Sequence, residues 1–257
     1  MNRTGLVIAL GVGVCAGAVF ALFPQLDIAI SRLFFNDSHR VFPIQYSLLA
    51  RNLRDLFTYV IAALAAPAFI AVAIKLVMPR RPMLISARAA LFLVATLALA
   101  PGLMANVILK DNWGRPRPPE VTEFHGPDQF RPWWDPRGSC ATNCSFVAGE
   151  GAGGFWALAP AALAPPPLRP LAYAAAFAFG AAAGLLRLSG GAHFFSDVVF
   201  SGVFTFLIIW IAYGLIYRWR TRLTDGQIER AIERIVLPVY EPAERWITRL
   251  RGHRAGP

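Results

Sequence analysis

Residues 198–217, Val-Val-Phe-Ser-Gly-Val-Phe-Thr-Phe-Leu-Ile-Ile-Trp-Ile-Ala-Tyr-Gly-Leu-Ile-Tyr, carry no charge and decide the fold class. As an α-helix this stretch reaches about 30 Å, the depth of a bilayer's hydrocarbon core. A soluble core helix is apolar along one stripe only, whereas this run is apolar all round. Five more apolar runs lie upstream, at about 5–23, 56–77, 87–109, 145–163 and 171–188. The sequence therefore predicts an all-α, polytopic membrane helix bundle with about six transmembrane helices. The first run, with Pro24 behind it and the small-residue pattern Ala16-Gly17-Ala18, looks like a signal peptide. Its length and the runs that follow favour a retained anchor. Pro67 and Pro101 fall inside two runs, where neighbouring helices re-satisfy the backbone.

Three parts are expected: an N-terminal anchor and outer loop over 1–54, a membrane catalytic domain over 55–217, and a basic tail over 218–257. In the tail Ile228, Ile232 and Ile235 recur at helical spacing among arginines. That pattern predicts short amphipathic helices on a membrane surface. The net charge is +10 and only Lys75 and Lys110 are lysines. Such a balance can serve nucleic acid, but no stacking-aromatic RNA motif or zinc-finger spacing accompanies it. The expected partners are the membrane and its anionic headgroups, with no nucleic acid. Six spans return both ends to one side. The cations Lys75, Arg80, Arg81 and Arg88 and the arginine tail make that side cytoplasmic. The loops 24–54, 110–143 and 189–197 then face outward, with Phe130, Trp133 and Trp134 set to rest on the lipid surface. Cys15 reads as a packing residue. Cys140 and Cys144 are too few for a four-ligand zinc site, and either a disulfide or two thiols fits them. No metal or other cofactor is expected.

Three outward-facing segments carry chemistry. In Lys110-Asp-Asn-Trp-Gly-Arg-Pro-Arg117-Pro118 a helix would align Lys110 and Arg117, a point charge and a planar fork suited to phosphate oxygens. At Cys144-Ser-Phe-Val-Ala-Gly149-Glu150, glycine-rich backbone N–H groups suit an anion. Glu150, with its pKa raised by an apolar helix mouth, would be a proton donor. In Arg187-Leu-Ser-Gly-Gly-Ala-His193-Phe-Phe-Ser-Asp197 the carboxylate can hold one ring nitrogen and leave the other free as nucleophile. Charged groups at a membrane edge tend to be functional. Cations gathered around a nucleophile suit phosphoryl transfer.

The pattern resembles the phosphatidic acid phosphatase type 2 superfamily, whose signature is K-x6-R-P, then P-S-G-H, then S-R-x5-H-x3-D. Lys110, Arg117 and Pro118 match the first block completely. Arg187, His193 and Asp197 match the third, with Leu186 for its serine. Val147-Ala148-Gly149-Glu150 fills the second block, where only Gly149 is kept. The surrounding text looks most like the bacterial lipid A phosphatase branch. The resemblance implies a metal-independent lipid phosphatase of the bacterial inner membrane with its site toward the periplasm. Its substrate would be a lipid A-type lipid, undecaprenyl pyrophosphate or a phosphatidic acid-like lipid. It implies that His193 becomes a phosphohistidine, that Asp197 supports it, and that Lys110, Arg117, Arg187 and the Gly149 N–H hold the phosphate. Glu150 stands where the family has the histidine that protonates the leaving oxygen. A lipid-to-lipid phosphotransferase and an inactive lipid-binding or transport homologue are the alternatives.

Overall fold

The computed structural model describes residues 2–219 and 223–254, with side chains as far as 242. Ten α-helices lie among the described residues: α1 (Arg3–Leu22), α2 (Gln25–Arg32), α3 (Leu48–Val77), α4 (Ala87–Leu97), α5 (Lys110–Asn112), α6 (Gly149–Phe155), α7 (Leu158–Ala162), α8 (Arg169–Ser189), α9 (Phe195–Tyr213) and α10 (Asp225–Arg254). Wider π-type turns over Ala98–Leu109, around Pro101, join α4 to α5, and others over Gly214–Arg218 extend α9. Five helical stretches are long and apolar enough to cross a membrane: Arg3–Leu22, Leu48–Val77, Ala87–Asn112, Arg169–Ser189 and Phe195–Arg218. The protein is a multi-pass membrane protein, and among the described residues its regular elements are all helical. The sixth apolar run takes a different form. It becomes the short helices α6 and α7, buried almost throughout. Glycine-rich sequence suits that inner position, because it lets helices approach closely. Gly154 of α6 faces Gly180 and Ala183 of α8, and a Cβ on Gly180 would collide with the Phe155 ring.

The chain forms two compact units, Met1–Leu64 with Ala95–Tyr213, and Ala65–Val94 with Gly214–Pro257. In the first, α6 packs against α8, α9 and the Ala98–Leu109 turns, and α1 packs along α9. The 24–54 stretch, expected as a mixed loop, contains α2, which buries Asp27 and docks on α9. Of the aromatics expected at the lipid surface, only Trp134 is exposed. Trp133 lies 4.3 Å from the Phe200 ring, tilted against it, and donates its indole N–H to the Gly17 carbonyl at 3.2 Å. Phe130 meets Phe194 edge-on at 5.2 Å. These two rings hold the long loop down on the helices.

In the second unit the described tail residues from Asp225 to Arg254 form one long helix, α10, rather than several short ones, and it runs through Pro238 and Pro242. Ion pairs fasten it. Buried Lys75 donates to Glu233 at 2.6 Å, to Glu229 at 3.2 Å and to the Arg81 carbonyl at 2.9 Å. Asp225 accepts from the Ser86 hydroxyl and the Arg88 N–H, both at 2.8 Å. A charge as deep as Lys75 is tolerated because each of its three donors is used. Ile228 is buried and Ile235 exposed, so the isoleucine stripe is only partly an inner face.

Candidate active site

The three chemistry-bearing segments meet in the first unit, laced together by main-chain bonds. The Cys144 N–H donates to the Lys110 carbonyl at 2.9 Å, and the Ser145 N–H donates to the Arg115 carbonyl at 2.8 Å. Lys110 and Arg117 are not aligned by a helix, as their spacing predicted. The helix ends at Asn112, Gly114 takes a φ of +70°, and Pro116 and Pro118 follow. A residue that the sequence did not flag brings the two cations together. Asn143, at a φ of +53°, receives Arg117 Nη2 on its carbonyl at 2.7 Å and on Oδ1 at 2.8 Å, and Lys110 Nζ on Oδ1 at 3.3 Å. Asparagine tolerates this left-handed conformation better than most residues. Beside it Cys140 and Cys144 are joined as a disulfide. Gly149 lies against Lys110; a Cβ there would stand 2.5 Å from Asn106 Oδ1 and 3.0 Å from Lys110 Nζ.

His193 is 1% exposed. The Ser145 carbonyl, not Asp197, receives its Nδ1–H, at 2.7 Å. Asp197 Oδ2 stands 4.0 Å from Nδ1, beyond hydrogen-bond reach. The expected turn of helix between the pair is missing, because α9 begins at Phe195. Asp197 acts one step back. It accepts the Ser145 hydroxyl at 2.6 Å and the Phe194 N–H at 2.8 Å, the residues on either side of the imidazole contact. With Nδ1 committed as donor, the lone pair of the neutral ring sits on Nε2. Burial, then the charges of Lys110, Arg117 and Arg187, hold the His193 pKa well below the ordinary 6.5. The ring is therefore neutral, as a nucleophile requires.

A buried ion network that the sequence did not announce lies beneath. Arg115 is fully buried and pairs with Asp197 and, at 2.8 Å, with Asp27 of α2. It also donates to the Ser196 hydroxyl and the Arg131 carbonyl, both at 2.9 Å. Its guanidinium lies 4.4 Å from the Phe194 ring centroid. Asp27 in turn accepts the Ser196 N–H at 2.9 Å and the Ser196 hydroxyl at 2.6 Å. The one available signal was a carboxylate, Asp27, inside an otherwise amphipathic segment.

The apolar mouth expected around Glu150 is not there. Its side chain is 37% exposed and faces two arginines: Arg54 at 2.7 Å and Arg187 at 3.3 Å. Arg54, on α3, lies outside every motif. Among the described residues no group of three or more His, Cys, Asp or Glu side chains is placed to hold a metal ion.

Helices of membrane-crossing length and a buried imidazole on which three cations act fit a membrane-embedded enzyme of phosphoryl transfer. The model of the PAP2 superfamily matches residues 89–221. Over 227 residues the chain is 37% identical to the lipid A 4'-phosphatase of Francisella tularensis subsp. novicida, covering 85% of this chain and 98% of that protein. It is 34% identical over 229 residues to the lipid A 4'-phosphatase of Rhizobium etli, covering 82% of this chain and 83% of that one. No solved structure gives a significant match. The chain belongs to the PAP2 superfamily and is a membrane phosphatase.

Proposed function

We propose that the protein hydrolyses a phosphate monoester on a lipid A-type headgroup, at the periplasmic face of a bacterial inner membrane. One observation carries the reading. A buried imidazole has Nδ1 engaged by a carbonyl and Nε2 free, within range of three cationic side chains. His193 Nε2 attacks phosphorus, the bond to the leaving oxygen breaks, and that oxygen takes a proton from solvent water admitted at the exposed rim. Water then attacks the phosphohistidine, the N–P bond breaks, and inorganic phosphate leaves with His193 restored. Lys110, Arg117 and Arg187 hold the non-bridging oxygens, helped by the Gly149 N–H. Asp197 keeps Ser145, and through it His193, in place. Glu150 completes the site beside Arg187.

The lipid substrate finds support in an apolar trough of about 480 Å³, floored by α9 from Phe195 to Phe206 and walled by Ile8, Val12, Phe177 and Leu185. That length of helix rises about 16 Å, close to half of the ~30 Å hydrocarbon core. It starts two residues beyond His193, so a headgroup at the imidazole can leave an acyl chain there. Two relatives named for the 4'-phosphate of lipid A, each aligned over most of its length, support the position. The Cys140–Cys144 disulfide favours an oxidising compartment for the site. With α6 and α7 together completing a sixth crossing, the arginine-rich segments after α3 and α9 share one side, which their charge favours as cytoplasmic.

The test is phosphate release by purified protein in detergent from lipid A, undecaprenyl pyrophosphate, phosphatidic acid and phosphatidylglycerol phosphate, with and without His193→Ala. Release from lipid A that vanishes in the variant is the expected result. Release that persists in His193→Ala overturns the nucleophile, and preference for another lipid overturns the substrate. Activity is expected to survive chelation; loss in chelator that a divalent ion restores would overturn the metal-free reading.

A further inference from the structure

Arg54 meets Glu150 as a fork. Its Nε donates to Oε1 and Oε2 at 3.0 Å each, and its Nη2 donates to Oε1 at 2.7 Å. On the other side Glu150 Oε2 stands 3.3 Å from Arg187 Nε, as an ion pair outside hydrogen-bond geometry. The Arg187 Nε is buried and has no hydrogen-bond partner. A general acid needs a proton on one oxygen, aimed at the leaving group. Here both oxygens accept from a guanidinium, a group that can only donate. The residue type follows from the same contact. A carboxylate matches the planar fork of Arg54, whereas a histidine in that place presents no paired acceptors to it.

We propose that Arg54 belongs to the active site and that Glu150 is a positioning residue. The Arg54 fork pins the Glu150 carboxylate against the Nε edge of Arg187, so that the other two nitrogens of Arg187 stay turned toward phosphate. Glu150 does not protonate the leaving oxygen. This rests on the phosphatase reading above and goes beyond it. Arg54 has a second effect, because the carboxylate also feels Lys110 and Arg187. Without Arg54 it is free to fold onto those cations and compete with phosphate.

Leaving-group dependence separates the two roles. Nitrophenyl phosphate expels a phenolate that needs no proton, whereas a lipid monoester expels an alkoxide that does. For the full-length protein in detergent, Glu150→Gln is expected to lower kcat/KM for both substrates by the same factor, on the order of ten- to a hundredfold. Arg54→Gln is expected to raise KM by roughly tenfold with little change in kcat, and the double variant to behave as Glu150→Gln alone. Arg54→Lys, which keeps one donor and the charge, is expected to recover part of that loss. A Glu150→Gln loss of about 10²–10⁴-fold confined to the lipid would make Glu150 the acid and sink the proposal. A wild-type KM in Arg54→Gln, with unchanged unfolding temperature, would put Arg54 outside the site. Titration with inorganic phosphate reads the same coupling without turnover. Coupled phosphate binding in a protein that hydrolyses neither substrate would count against the phosphatase reading and leave the positioning role standing.

Discussion

Two ion-pair chains flank the imidazole and differ in burial. Beneath it, Asp27, Arg115 and Asp197 are all but inaccessible, and both oxygens of each carboxylate are engaged. Beside it, Arg54, Glu150 and Arg187 form a shorter chain, with Arg54 48% and Glu150 37% exposed. In the first, water cannot replace a lost partner, so removing one charge strands the others. In the second, water and salt can offset the lost stability of a partner at Arg54 or Glu150, though not its positioning. The floor of the site is therefore rigid, and it fixes Ser145 and the His193 ring. The rim is open to solvent, and in the proposed reaction it is where a headgroup enters.

Breaking the floor has the largest expected effect. Arg115→Met leaves Asp27 and Asp197 unpaired and is expected to cost about 3–5 kcal/mol, with activity lost. Thermal unfolding in detergent measures it, and a fall smaller than that of a rim substitution would erase the contrast. Acid tests the imidazole next. Below the ordinary 6.5 the unfolded chain binds a proton that folded His193 refuses. The unfolded state then holds more protons, so stability falls as pH drops through 6.5 and is unaffected by this group above it. The acid limb of kcat/KM is expected below 6.5 for the same reason. His193→Gln should flatten the stability profile, and an unchanged slope would remove the imidazole as its source.

A smaller effect is expected from Cys140→Ser with Cys144→Ser. Freeing Asn143 loosens Lys110 and Arg117, so KM rises a few-fold, about 1 kcal/mol, with kcat kept. A fall in kcat with unchanged KM would mean that the bridge supports the nucleophile instead. The smallest change is expected in the unfolding temperature of Arg54→Lys. A pair this exposed contributes roughly 0–1 kcal/mol, and added salt should erase the difference.

Much of the fold was legible because lipid imposes a plain rule on sequence: apolar runs of bilayer length become helices. Five of the six runs became helices of that length, and the sixth did not. Its glycines suited close contact with α8 and α9, and contact with helices rather than lipid set its length. The α2 helix stayed hidden because it is eight residues long, too short for periodicity to announce. Of the candidate site, Lys110, Arg117, Gly149, Arg187 and His193 were singled out by their motifs. Arg54, Asn143 and Asp27 were not, since each sits far along the chain from the residue it serves.

By itself the sequence determined the helical membrane architecture, pointed to the superfamily, and named most of the side chains that gather at the candidate site. The architecture follows from local composition, and the other two from the family resemblance that the motifs carry. Only the tertiary structure decided which acceptor holds the His193 ring, what Asp197 grips instead, and which cation faces Glu150. Hydrogen-bond partners depend on positions within a few tenths of an ångström, set by packing between segments as distant as Arg54 and Glu150. Sequence spacing carries no such information. It brought His193 and Asp197 to within 4.0 Å, and a carbonyl on another segment took the bond.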